Sequence, residues 1–233
     1  MTARSPSASA PPANKERFVA RYLDLGDRLG EILFGLIMVL SFTLGAGLVV
    51  HEGVDATKEM LIGIIGCNIA WGLIDGVMYI LGSMFERGRS VHLLHTVQRA
   101  RGDGEALEII SSELDPRLAA ITSTAERERL YRDILKRLRT FHPLKTTLTK
   151  ADVYGAIASF WLVVLSAIPA VVPFLIFQDR LFALRVSNGL LLAMLFYVGY
   201  RWGKETNSRP WLIGTCLLAV GIAMVGTAIA LGG

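Results

Sequence analysis

Asp75 stands inside a run that otherwise carries no charge: Trp71-Gly-Leu-Ile-Asp-Gly-Val-Met-Tyr79. The run ends at Phe85, ten residues on. At ~1.5 Å per helical residue, that places the carboxyl ~15 Å from the end. An ionisable side chain at such depth costs at least a few kcal/mol unless it meets a partner or a wet path. That default favours a functional aspartate over one bonded to a neighbouring helix. Glu31 opens the preceding apolar run. It reads either as a second functional carboxylate or as a residue favoured by a helix N-terminus. Asn68 lies seven residues before Asp75 and Met78 three after, on one helical side. Met38 lies in the first run. Carboxylate, amide and thioether donors suit a labile divalent ion such as Fe(II) or Mn(II). Asp75, Glu31 and Met78 are the expected ligands, with Asn68 and Met38 along the path. Each methionine taken alone reads more readily as a gap filler between helices.

Weaker signals lie elsewhere. His92 and His95 are spaced i, i+3, and Glu105, Glu108 and Glu113 add carboxylates. Neither set completes a metal's ligands, and solvated helices often carry such pairs. Pro169 and Pro173 fall in one apolar run. Each removes a helix hydrogen bond, so a kink is expected there. Arg185 and Asn188 are candidates for the far exit of a path, or else a snorkelling side chain and a helix–helix hydrogen bond. Cys67 and Cys216 sit in apolar runs, match no metal-ligand spacing and read as small apolar filler.

The elements that must hold these residues follow from composition. The 233 residues are 52% hydrophobic, and the charged share is 19%, below the roughly 25% usual for globular domains. The charges are concentrated in one central block. This excludes a soluble enzyme with evenly mixed surfaces and a disordered chain; no enzymatic activity is expected. A bilayer crossing needs about 20 mostly apolar residues. Residues 32–50, 60–85, 153–177, 181–200 and 211–233 meet that length. Such continuous runs are helices, since lipid satisfies no open sheet edge and barrel strands alternate. The expected fold is an all-α integral membrane protein with five transmembrane helices and a cytoplasmic helical insert between the second and third.

Residues 1–14 are rich in Ser, Ala and Pro, lack a signal-peptide core and are expected to be disordered. Residues 15–30 read as an amphipathic lead-in at an anionic membrane surface. The regions then run as transmembrane helices 1–2 over 31–85, the insert over 86–151, and helices 3–5 over 152–233. With the N-terminus inside, twenty-one of the 24 basic residues are cytoplasmic, and the C-terminus is outside. The net charge of +4 is thus a topology signal and does not point to nucleic acid. In the insert, Ser123-x-x-Glu126 is a capping box. Leu130, Ile134 and Leu138, with Tyr131 and Leu135 alongside, form an apolar stripe. Asp115-Pro116 reads as an N-cap followed by a first-turn proline. Thr149-x-x-Asp152 repeats the capping logic. Glycines crowd the first two spans, Gly35, Gly72 and Gly76 among them, and would let helices of two protomers meet in a homodimer.

Several motifs carry a family resemblance. Glu31-Ile-Leu-Phe-Gly-Leu-Ile-Met-Val-Leu-Ser-Phe-Thr43 opens the first span, and Gly66-Cys-Asn-Ile-Ala-Trp-Gly-Leu-Ile-Asp-Gly-Val-Met-Tyr79 fills the second. A Pro-x-x-x-Pro span follows the insert, and the chain closes with Gly199-Tyr-Arg-Trp-Gly203 and Arg209-Pro-Trp211. Over residues 20–233 the chain resembles the bacterial branch of the vacuolar iron transporter family. The resemblance implies export of Fe(II) or Mn(II) from the cytosol as transported substrate, exchange with protons, and a homodimer in the bacterial inner membrane. It also implies a Glu-rich metal-collecting insert; here one Glu-x-x-Glu is present, at Glu105 and Glu108, with Arg interleaved. No other cofactor is expected. The competing expectation is a non-transporting assembly or sensor protein with a helical cytoplasmic module.

Overall fold

The computed structural model describes residues 18–49, 56–141 and 147–231. The tail over 1–14 and Lys15 to Arg17 of the lead-in therefore lie outside the described residues. Those described are helical, with no strand among them. In chain order the helices are α1 (Phe18–Tyr22), α2 (Leu25–Val49), α3 (Ala56–Arg99), α4 (Asp103–Leu118), α5 (Thr124–Thr140), α6 (Lys150–Ser166), α7 (Ile168–Ile176), α8 (Arg180–Glu205) and α9 (Pro210–Ala230). Five stretches are long and apolar enough to cross a bilayer: Leu25–Gly45, Thr57–Arg99, Lys150–Ile176, Arg180–Glu205 and Pro210–Ala230. Their outward faces carry large apolar side chains such as Ile62, Leu73, Leu175, Val220 and Ile229. A protein that left these faces to water would expose far more contiguous apolar surface than soluble monomers do.

The chain forms two compact units: Met1–Gly76 with Tyr154–Gly233, and Val77–Val153. The first is built on α8, whose buried residues Ala183, Ser187, Leu191, Leu195 and Val198 recur at helical spacing. Leu29, Leu36, Val39 and Leu40 of α2, Met60 and Ile64 of α3, and Ala167, Ala170 and Phe174 share that core. The α8–α9 hairpin is tight because glycines remove side chains at the contact. A methyl at Gly199 would come within 2.9 Å of the Ile213 carbonyl oxygen. Asn207 turns this hairpin with φ 52°, a left-handed conformation that asparagine tolerates better than most residues.

The third span is broken, as its prolines predict. α6 ends at Ser166, and α7 starts after Ala167 with Pro169 in its first turn. Pro169 and Pro173 lack the N–H groups that would bond the carbonyls of Leu165 and Pro169.

In the second unit, Val97, Ala106, Ile110, Tyr131 and Leu135 form a separate core. α3 runs through Phe85 to Arg99 without interruption, so the polar insert starts inside a helix and not at a new one. The capping box is present: Ser123 N–H donates to Glu126 Oε2 at 2.8 Å, and Glu126 N–H to Ser123 Oγ at 3.4 Å. The Ser123 hydroxyl, donating to Glu126 Oε2 at 2.7 Å, and then the Ser123 N–H hold the exposed Glu126 carboxyl below its ordinary range. Two expectations need correction. Leu130 is 41% exposed, because it lies ~100° around α5 from the buried Tyr131. Asp115-Pro116 does not start a helix; it lies in the last turn of α4. There the Asp115 carboxylate accepts from the Tyr131 hydroxyl at 2.7 Å and pairs with Arg127 at 3.0 Å. Tertiary partners replace the capping role read from the dipeptide.

Candidate functional site: a carboxyl pair between three helices

Three helices of the first unit meet around Asp75. Contacts between α3 and α6 fix an antiparallel register. The Asn68 amide NH2 donates to the Val163 carbonyl at 2.9 Å. A methyl at Gly72 would stand 3.0 Å from the Phe160 carbonyl oxygen, and one at Gly76 would stand 3.1 Å from that of Ala156. α2 runs parallel to α6: Glu31 meets Ser159, and a methyl at Gly35 would overlap the Ser166 hydroxyl. The small residues expected to join two protomers are therefore in use within one chain. Gly35, Gly72 and Gly76 are buried against its own α6, because backbone-to-backbone approach needs a glycine at each crossing.

That approach brings two acids together. The carboxyls of Glu31 and Asp75 lie within hydrogen-bonding and coulombic reach of each other. Glu31 Oε1 accepts from the buried Ser159 hydroxyl at 2.7 Å. Asp75 Oδ2 is buried and has no hydrogen-bond partner among the described residues. Glu31 is also not a first-turn residue. α2 starts at Leu25, and Asp24 caps it by accepting from Asp27 N–H at 2.7 Å. The helix N-terminus thus has its own acid, and Glu31 is one turn deeper, facing Asp75.

An open groove of about 510 Å³ leads to Glu31, lined by Asp24, Gly26, Asp27, Gly30, Glu31, Phe34 and Trp202. Asp24 and Asp27 fall inside the 15–30 lead-in, whose amphipathic pattern gives them no separate role. Their i, i+3, i+7 spacing with Glu31 is the signal that places all three on one face. Ser159 carries no such signal.

The other expected residues are dispersed. Asn68 is buried beside Val163, and Met38 is half-buried. Met78 is 60% exposed and belongs to the second unit. Asn188 accepts from Thr43 Oγ1 at 3.2 Å, the helix–helix bond, while Arg185 is exposed. In the second unit His92 and His95 are both exposed. Glu105 accepts from Arg101 N–H at 2.8 Å, Glu113 pairs with Arg89 at 3.1 Å, and Glu108 is exposed. Among the described residues, no three of His, Cys, Asp or Glu converge as a metal-holding group. What the first unit offers a cation is a carboxyl pair with a hydroxyl.

The fold and this pair define the class: a multi-pass, all-helical membrane protein with acids set between its helices. No family model matches the chain, and no curated protein matches it.

Proposed function

We propose that the protein is a membrane transporter that exports divalent transition-metal ions, Fe(II) or Mn(II), from the cytosol in exchange for protons. The observation that carries this reading is the Glu31–Asp75 pair between three apolar helices. Two carboxyls in low dielectric hold their charge only with a partner. A divalent cation satisfies both; without it, a proton does. Metal entry then expels a proton, and acid on the side open to the pair weakens metal binding. The groove with Asp24 and Asp27 gives a cation an acidic approach to Glu31. The basic residues of the tail, insert and last loop favour an N-terminus in the cytoplasm of a bacterial cell. The resemblance to the vacuolar iron transporter family supports the same reading.

The protein works as a homodimer in this proposal. Its contact is assigned to the open face of α3 around Gly66, where a methyl would meet nothing within 4 Å. A second reading, a membrane assembly or sensor protein, is favoured by the separate core of the second unit. Flux decides between them. Purified protein in vesicles with an imposed pH gradient should move Mn(II) or Fe(II), and Asp75→Asn should remove most of that flux and its pH dependence. A folded wild-type protein that moves neither ion overturns the transport reading.

A further inference from the structure

Asn68 has 0% of its surface exposed. Its NH2 group is committed to the Val163 carbonyl at 2.9 Å, so the amide orientation is fixed and Oδ1 points away from that bond. Oδ1 is itself buried and has no hydrogen-bond partner among the described residues. The hydroxyl of Ser166 does not supply one, because it donates to the same Val163 carbonyl at 2.6 Å. Buried amide oxygens in proteins are almost always paired, and an exception asks for an occupant, a water or an ion. An amide oxygen has two lone pairs and no proton to give, so its occupant is a donor or a cation.

Asn68 and Asp75 do not serve one ion together. They lie seven residues apart on an uninterrupted helix, ~10 Å along its axis at ~1.5 Å per residue. Metal–oxygen bonds are about 2.0–2.6 Å long. The order of the groups follows from α2, where Asp24 and Asp27 precede Glu31 and Gly35 follows it. Gly35 packs at Val163 and Ser166, the level of Asn68. The groove is thus on one side of the carboxyl pair and Asn68 is on the other, next to the break between α6 and α7.

We propose that Asn68 Oδ1 is a second, charge-neutral cation station, two helix turns beyond the Glu31–Asp75 pair, which passes hard divalent ions of the Mn(II) kind. This rests on the transport reading. The donors at the two stations are carboxylate, hydroxyl and amide oxygens, a set that suits Mn(II)-like ions better than thiophilic ones. A neutral oxygen holds a divalent ion weakly, and a path needs a site that releases what the charged site has captured.

The test compares Mn(II) flux and melting temperature for the wild type, Asn68→Leu and Asn68→Asp in proteoliposomes. Leucine keeps the shape and removes both polar groups. Aspartate keeps an oxygen and loses the NH2 donor. The expected result for Asn68→Leu is a maximal rate lower by roughly tenfold, the scale of a lost supporting ligand, with half-saturation and melting temperature little changed. Asn68→Asp should stay well above Asn68→Leu in rate and half-saturate at lower Mn(II). Wild-type flux in Asn68→Leu means a resident water only and overturns the station. So does a fall of flux and melting temperature together in both variants, which marks a tie between α3 and α6. A wild type without Mn(II) flux sinks the transport reading and the station with it; normal wild-type flux with an unaffected Asn68→Leu sinks the station alone.

Discussion

Two aspartates near the same pair of helices have opposite surroundings. Asp152, in the second unit, is met by everything a buried carboxylate needs. Arg87 grips it with two bonds, at 2.8 and 2.7 Å, and Thr149 donates its N–H and hydroxyl at 2.7 and 2.8 Å. Asp75, in the first unit, faces another acid and leaves one buried oxygen without a hydrogen-bond partner among the described residues. Both carboxylates are removed from water in part or whole, so burial alone does not separate them. The neighbours do: a guanidinium and a cap make a fixed joint, whereas a second carboxyl makes a place that is incomplete until a cation or proton arrives.

The largest expected effect is on transport. Asp75→Asn and Glu31→Gln remove charge from the pair, and each should lower metal flux in vesicles by roughly ten- to a hundredfold, the scale of one charge-assisted interaction. Neither should lower the melting temperature, since each removes one of two facing acids. If Asp75→Asn lowers stability as much as Arg87→Met is expected to, the contrast between the two aspartates fails. Next is stability. Arg87→Met leaves Asp152 buried with only its cap, and should cost about 1–3 kcal/mol, less than a fully buried pair because Arg87 is partly exposed. Chemical denaturation followed by circular dichroism measures it, with metal flux per folded molecule unchanged.

A third comparison concerns the glycines. Gly72→Ala must push against the Phe160 carbonyl and should cost about 1–3 kcal/mol, while Gly82→Ala, elsewhere on α3, meets nothing within 4 Å. Equal melting temperatures for the two alanine variants would show that α3 and α6 are not in this close contact. The smallest effect is at the insert. Glu126 is held below its ordinary 4.5, chiefly by the Ser123 hydroxyl. A lowered carboxyl stabilises the fold above its unfolded value, and that contribution is lost as pH falls through the lower folded value. Ser123→Ala should therefore reduce stability at neutral pH, by roughly 2–4 °C in melting temperature, and flatten its decline below pH 4.5.

Much of the architecture is readable along the chain, for a local reason. The five apolar stretches, the proline break before Pro169, and the caps at Ser123 and Thr149 depend on residues a few positions apart. Hydropathy, missing N–H groups and hydroxyl-to-amide distances are therefore encoded in short windows. The same locality explains the errors. Asp115-Pro116 has the local form of a helix start, yet Tyr131 and Arg127 take the carboxylate from across the α4–α5 contact. Leu130 has a stripe's spacing to Ile134 and Leu138 but falls outside the buried arc.

Asp75 is conspicuous in the chain because charge is rare in apolar runs, and that scarcity needs no partner to be seen. Its partner is another matter. Glu31 comes to Asp75 because Gly72 and Gly76 let α6 approach α3, while Gly35 admits α6 to α2. Ser159 lies 128 residues from the Glu31 it bonds. No periodicity links positions so far apart. Whether a buried acid meets an arginine, a cap or a second acid is decided where helices cross, by which side chains the close-packed backbones leave facing each other.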